Sequence, residues 1–416
     1  MIKIKIPNNN IAERKYIIDI FFNEFFGLAY MIEIGSKDYE LTLANDKKFT
    51  IKDTFFNKFQ KDLEYLDKKN IPQSIKELDV FSASFFMLTR WEEYVNKTRD
   101  NHNRFPVTES LAYKEGFLDR PIVNEYIQEL KKKLLELDET LQFKRREFKI
   151  TLTHDVDAPL LHYNFIKHIK ASIMDILQRK SIKLFCQRNI DYILTKLKLK
   201  NDAFDTFDYL MDISEKIGVK SYFFFMGKGV TSYDNMYSSS HSFIINLIKK
   251  IKSRGHLIGI HPTYDAYNNA ILFKQEKEEL EKNLQTKIEF GREHYLRFEV
   301  PTTWQIWEDN KMKWDSTLSY ADKEGFRCGV CYEYSVFNIL TRKKLKLKEK
   351  PLIVMEGTFA AYQKEVAPEE MENKIVYLLE KVREYNGEFV FLWHNSSFRT
   401  NEWKKFAYIY EKVLVS

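Results

Sequence analysis

The stretch Thr151-Leu152-Thr153-His154-Asp155-Val156-Asp157-Ala158-Pro159 decides how this chain is read. It is a buried-type strand that stops abruptly in two carboxylates spaced two apart, followed by proline. Strand side chains alternate, so Asp155 and Asp157 point to one side if the strand continues through them. Two carboxylates at a strand end suit a division of labour in which one binds a metal and the other stays free as a base. A turn or helix cap built on aspartate is the competing reading of this segment alone.

Working outward, strands alternate with helical stretches. Phe148 to Thr153 is followed by the helix Phe207 to Ile217 and the strand Lys220 to Phe225. The helix Ile244 to Ile251 then leads to the strand His256 to Ile260, and later strands cover Leu352 to Met355 and Glu388 to Leu392, the last after the helix Met371 to Tyr385. This rhythm predicts a parallel sheet or βα barrel, with catalytic groups at the C-terminal ends of the strands. Before the charged link Lys144-Arg145-Arg146-Glu147 the pattern differs. Strand-like Met31 to Ile34 and Tyr39 to Leu43 mix with helices, of which Ile122 to Leu137 is the clearest. At 416 residues two domains are expected, 1–147 and 148–416.

Three further segments carry polar chemistry, two of them at the ends of apolar strands. Gly255-His256-Leu257-Ile258-Gly259-Ile260-His261 places His261 at a strand end, with Asp265 four residues on, while His256 starts the strand and reads as structural. Arg292-Glu293-His294-Tyr295-Leu296-Arg297 and Phe391-Leu392-Trp393-His394-Asn395 are the others. A lone histidine in an apolar setting is usually a satisfied core residue. Five of the nine histidines fall in these four segments, however, and imidazole with carboxylates suits zinc or a similar divalent ion.

The balance of 66 basic and 60 acidic residues leaves a dispersed +6, which does not suit a nucleic-acid binder. No secretory core or run of about 18 apolar residues is visible, and three cysteines make no disulfide framework, so a cytoplasmic protein with reduced thiols is expected. The lone Cys328-Gly329-Val330-Cys331 reads as structural. A helical insertion at about 162–203 carries nine Lys or Arg against Asp175 and Asp191 between His162 and Lys200. It reads as a helical pair packed on the barrel with a solvated basic side. The sharper alternative is a peripheral surface for anionic membrane or a lipid-linked substrate.

The ordered motifs from residue 149 to 400 resemble the polysaccharide deacetylases, the NodB-like domain of carbohydrate esterase family 4, and in particular a bacterial subgroup with an uncharacterised N-terminal domain. The resemblance rests on Thr153 to Asp157, Ser221 to Gly227, Gly255 to His261, Arg297, Trp314 to Leu318 and His394. In the leading part it rests on Phe81 to Phe86, Arg90 to Tyr94, Glu109 to Ala112 and Pro121 to Val123. It implies an α/β fold, a distorted (β/α) barrel with a smaller α+β N-terminal domain. It also implies removal of an acetyl group from an N-acetylated sugar, nucleotide- or lipid-linked, in surface polysaccharide assembly. Carried over, Asp155 is the general base, Arg297 its orienting partner and His394 the general acid. Asp157 and His261 hold a divalent metal, zinc first, with Mn, Co or Fe as alternatives, while Tyr264 and Trp393 face the sugar. Asp265 stands where the family has a second histidine. Asp265 completes the ligand set, or His294 replaces it, or the position is empty and the domain is a silent saccharide- or partner-binding module.

Overall fold

The computed structural model describes residues 1–415 except 164, 228, 230, 235, 236 and 364. Among the described residues the strands form two sheets. The first is four-stranded, in the order β2-β1-β3-β4, from β1 (Ile2–Ile6), β2 (Tyr30–Ile34), β3 (Tyr39–Thr42) and β4 (Lys48–Ile51). Its inner strand shows why it forms: Ile2, Ile4 and Ile6 are buried while Lys3 and Lys5 face water, the period of two that a half-buried strand needs.

The second sheet has nine strands, ordered β10-β11-β9-β8-β7-β6-β5-β13-β12. They are β5 (Lys149–Val156), β6 (Ser221–Phe225), β7 (Leu257–Ile260), β8 (Phe290–Gly291), β9 (Trp314–Asp315), β10 (Tyr334–Asn338), β11 (Lys343–Glu349), β12 (Val354–Met355) and β13 (Glu388–Leu392). All neighbours run parallel except the β10–β11 pair. Central strands such as β6, Ser-Tyr-Phe-Phe-Phe, are apolar almost throughout, as both faces of a parallel sheet require. Intervening helices supply the cover: Ser242–Ser253 buries Ile244, Leu247, Ile248 and Ile251 on one stripe. The chain is thus mixed α/β around a large parallel sheet. No pairing joins β12 to β10 or β11 among the described residues, so the parallel order expected of a barrel is present and its hydrogen-bonded closure is not.

One apolar core runs through both parts of the chain. Tyr16 donates its hydroxyl to the Ser335 carbonyl at 2.9 Å, and Tyr334 donates to the Leu88 carbonyl at 2.9 Å. Glu93 is gripped by Arg327 through Nε at 3.0 Å and Nη2 at 2.6 Å, and Arg90 reaches the same carboxylate at 2.9 Å. All three side chains are buried, and the two guanidinium groups hold Glu93 down to about 2 despite the opposing effect of burial. Among the described residues no helix is long and apolar enough to cross a membrane. Cys328 and Cys331 are buried free thiols whose pKa burial raises, Cys328 to about 12, which makes them inert packing groups.

Candidate metal centre and active-site cleft

Strand β5 sorts its side chains by alternation. His154 points away from the cleft, where Nδ1 meets the Trp393 carbonyl at 2.7 Å and Nε2 meets Ser221 Oγ at 3.0 Å. Burial pushes this imidazole down to about 3, so it stays neutral. Asp155 and Asp157 face the other way, into a cavity of about 290 Å³ at the C-terminal ends of the strands. Beyond β7 the ladder continues for one more residue: the His261 N–H donates to the Phe225 carbonyl at 2.8 Å, delivering its ring beside Asp157.

Asp157, His261 and His294 form a cluster whose ligand atoms all lie within 4.8 Å of one another. His261 Nε2 is 3.1 Å and His294 Nε2 is 3.8 Å from Asp157 Oδ1. That oxygen is buried and makes no hydrogen bond. Both rings are oriented from behind. His261 Nδ1 sits 2.7 Å from the Arg292 carbonyl, which can only accept, so the ring donates there and Nε2 carries the lone pair. His294 Nδ1 lies 3.1 Å from Asp234 Oδ1, a carboxylate–histidine pair of the kind that supports metal ligands. Two imidazole lone pairs and a carboxylate oxygen without a hydrogen bond converge on one point, and this donor set fits a divalent ion of the zinc type. His294 reaches the cluster because Tyr295 and Leu296 take left-handed φ of 60° and 53°, folding the loop back over the strand ends.

Asp265, expected in the ligand set, is not brought to this cluster. Its carboxylate is 55% exposed and pairs with Arg297 at 3.1 Å, because the chain turns into the Ala266–Asn268 helical turn and carries the side chain outward. The metal affinity should follow this placement. His294→Ala is expected to weaken zinc binding by at least about 100-fold, beyond the roughly 10–100-fold typical of losing an outer partner. Asp265→Ala should leave it within about threefold, and titration calorimetry of the two variants checks both.

Arg297 is likewise not the arginine on Asp155. It donates Nε to the His102 carbonyl at 2.9 Å and Nη1 to the Tyr264 carbonyl, with its guanidinium 3.8 Å from the Tyr264 ring centre. It ties the leading part of the chain to the rim. Arg292, fully buried at the end of β8, takes the place: Nη1 donates to Asp155 Oδ1 at 2.8 Å, and Nε and Nη2 donate to the Ser316 carbonyl and hydroxyl. Gly291 makes this possible, since a Cβ there would sit 1.9 Å from the Ile260 carbonyl oxygen and push β8 away from β7. The remaining oxygen, Asp155 Oδ2, lies 3.9 Å from His261 Nδ1.

On the opposite wall His394 Nε2 faces Asp157 Oδ2 at 3.7 Å. Its Nδ1 contacts Glu356 Oε1 at 2.7 Å, and its backbone N–H donates to the same oxygen at 3.0 Å. Burial works against the charged ring, yet Glu356, with Asp157 and Asp155, carries the pKa up to about 10, so His394 is a protonated acid near neutrality. Glu356 directly follows β12, a strand-end position that the sequence reading passed over.

The two expected sugar-facing aromatics are placed elsewhere. Trp393 is fully buried, donates Nε1 to the Ser397 carbonyl at 3.2 Å and packs against Phe391, Phe398 and Tyr410. It follows His394's neighbour strand into the core because alternation sends adjacent residues to opposite faces. Tyr264 lies behind Tyr233, stacked at 4.3 Å between ring centres. The rings that do line the cavity are Tyr233, Tyr295, Tyr362 and Trp403. Arg104, from the leading part of the chain, also lines it, fixed by Asp100 at 2.8 Å and donating to the Tyr295 carbonyl at 3.0 Å and the Tyr362 hydroxyl at 3.1 Å.

Comparison with known proteins gives the following. No curated protein matches the chain. Among solved structures, it is similar to an inferred polysaccharide deacetylase from Mycobacterium smegmatis at 14% identity, covering 65% of this chain and 84% of that one with a TM-score of 0.41. It is also similar to the chitin deacetylase of Colletotrichum lindemuthianum at 11% identity, 65% and 84% coverage and a TM-score of 0.33. A third is a pseudoenzyme of carbohydrate esterase family 4 from Bacillus anthracis, at 12% identity, 64% and 60% coverage and a TM-score of 0.31. Residues 2–139 match a family described as of unknown function, DUF7033.

Proposed function

We propose that this chain is a metal-dependent hydrolase that removes an acetyl group from an N-acetylated sugar. The observation that carries the reading is the order of groups around one cavity: a carboxylate held by a buried arginine, a carboxylate with two histidines, then a histidine backed by a glutamate. Asp157, His261 and His294 would hold the ion, zinc first by donor type. When bound, the ion supplies Lewis acidity toward the acetyl carbonyl and lowers the pKa of water.

The residues divide the remaining work. Asp155 offers Oδ2 as the base that takes the proton of the attacking water, while Arg292 fixes Oδ1 and balances its charge. His394 holds a proton on Nε2, facing the cavity, for the departing amine, and Glu356 keeps that proton in place. The cavity of about 290 Å³ suits a single sugar unit, with Tyr233, Tyr295, Tyr362 and Trp403 as apolar faces for a pyranose ring. We read residues 1–147 as a leading module whose Arg104 helps build that wall, and 148–416 as the catalytic part. His294 completes a three-ligand set without Asp265, which supports catalysis over the silent-module reading.

The test is acetate release from short N-acetylglucosamine oligomers by the full chain, first stripped with chelator and then given zinc, cobalt or manganese. The expected result is one bound ion per chain and activity that returns with metal. A chain that binds no ion and releases no acetate with any of these would overturn the reading.

A further inference from the structure

The helices Phe165–Leu177 and Ile182–Lys196 form a hairpin that leaves much of its apolar surface in water. Among the described side chains of its first helix, His168, Ser172 and Asp175 are buried and share one face by their spacing. They meet the second helix through polar contacts. His168 Nε2 lies 3.2 Å from Asn189 Oδ1, and Asn189 donates to Ser172 Oγ at 3.4 Å. Asp175 takes Arg188 and Arg179, each at 2.6 Å. Leu184, Phe185, Tyr192 and Leu194 are half-buried, but many large apolar residues face outward: Ile173, Leu177, Ile182, Ile190, Ile193 and Leu197 are between 48% and 75% exposed. Apolar exposure on this scale within one hairpin marks a surface that something covers.

Charge says what covers it. Between His162 and Lys200 there are nine Lys or Arg and two Asp. Both aspartates are already paired, Asp175 as above and Asp191 with Lys200 at 2.6 Å. Lys170, Lys180, Lys183, Lys196 and Lys198 have no ion-pair partner among the described residues. A second copy seated on this face would set those lysines against one another. An anionic lipid surface instead accepts the apolar side chains at the acyl boundary and the ammonium groups at the phosphates. The foot of the hairpin is pinned beside the metal cluster, only a few residues beyond Asp157. There Asp202 accepts the Leu161 and His162 N–H groups at 2.8 and 2.9 Å, and Asn395 donates to the Ala158 carbonyl at 3.0 Å.

We propose that the 165–199 hairpin is a peripheral docking element for anionic phospholipid bilayers, placing the cleft at the lipid–water boundary. This stands independently of the reaction assigned to the cleft. The test is co-sedimentation of the full chain with phosphatidylcholine vesicles containing about one-third phosphatidylglycerol, against pure phosphatidylcholine. The parent should partition at least about tenfold better onto the anionic vesicles and be released by salt. Leu177→Asn with Ile190→Asn, and separately Lys180→Glu with Lys183→Glu, should each lower partition about tenfold with unchanged circular dichroism and melting temperature. The two pairs change exposed positions by different chemistry, so the lysine pair still tests docking if the apolar pair perturbs folding. No sedimentation with anionic vesicles, equal sedimentation of the folded variants, or a dimer in light scattering that dissociates in the apolar variant would overturn the proposal.

Discussion

Asp155→Asn should release acetate about 10²–10⁴-fold more slowly than the parent while keeping its bound metal, the loss expected when a positioned base is removed. The substitution is nearly isosteric, and the amide oxygen can still accept from Arg292, so the local packing is retained. What disappears is the basic oxygen Oδ2, which belongs to no member of the Asp157–His261–His294 set. Rate and metal content therefore separate. Asp157→Asn, made alongside, should lose both, because its Oδ1 faces both histidines. Steady-state kinetics with metal analysis on the same preparations checks the pair. An Asp155→Asn enzyme with unchanged rate would remove Asp155 from the chemistry.

The second large effect falls on stability. Arg292→Ala leaves Asp155 without its cation and strands the Ser316 carbonyl, with all three residues buried. Breaking a buried pair from one side typically costs about 3–5 kcal/mol, since the remaining charge keeps its desolvation penalty. Urea unfolding of the single variants and of Arg292→Ala with Asp155→Ala measures it. The double variant is expected to be less destabilised than the sum of the singles by at least about 1 kcal/mol, the signature of direct coupling. Additive losses would show that the two groups do not stabilise each other.

These two predictions differ in how far the sequence reveals them. Asp155 is legible because a β-branched strand ending in two carboxylates leaves a period-two signal on a single segment. His261 and His394 follow the same logic, each closing an apolar run. Arg292 is not, for a physical reason: β8 is two residues long, too short to show alternation, so Arg292 and Arg297 look equivalent in one loop. The strand-end rule would have chosen Arg292 had β8 been visible. Glu356 hides in the same way behind the two-residue β12. Asp234 has no local signal, since its role exists only through a ring 60 residues further on. Trp393 shows the converse error. Its sequence neighbours His394, but alternation sends it into the core, where it packs against Tyr410.

By itself the sequence determined the parallel α/β order of the second part, because hydrophobic periodicity is a local property of each strand and helix. It also determined which segments carry polar chemistry at strand ends. Only the tertiary structure decided which members of those segments meet. His294 rather than Asp265 joins Asp157 and His261, and Arg292 rather than Arg297 joins Asp155. Those choices depend on how loops turn after the strands, on left-handed φ at Tyr295 and Leu296 and on the close approach that Gly291 permits. Such features are set by packing between segments far apart in the chain, which no local pattern records.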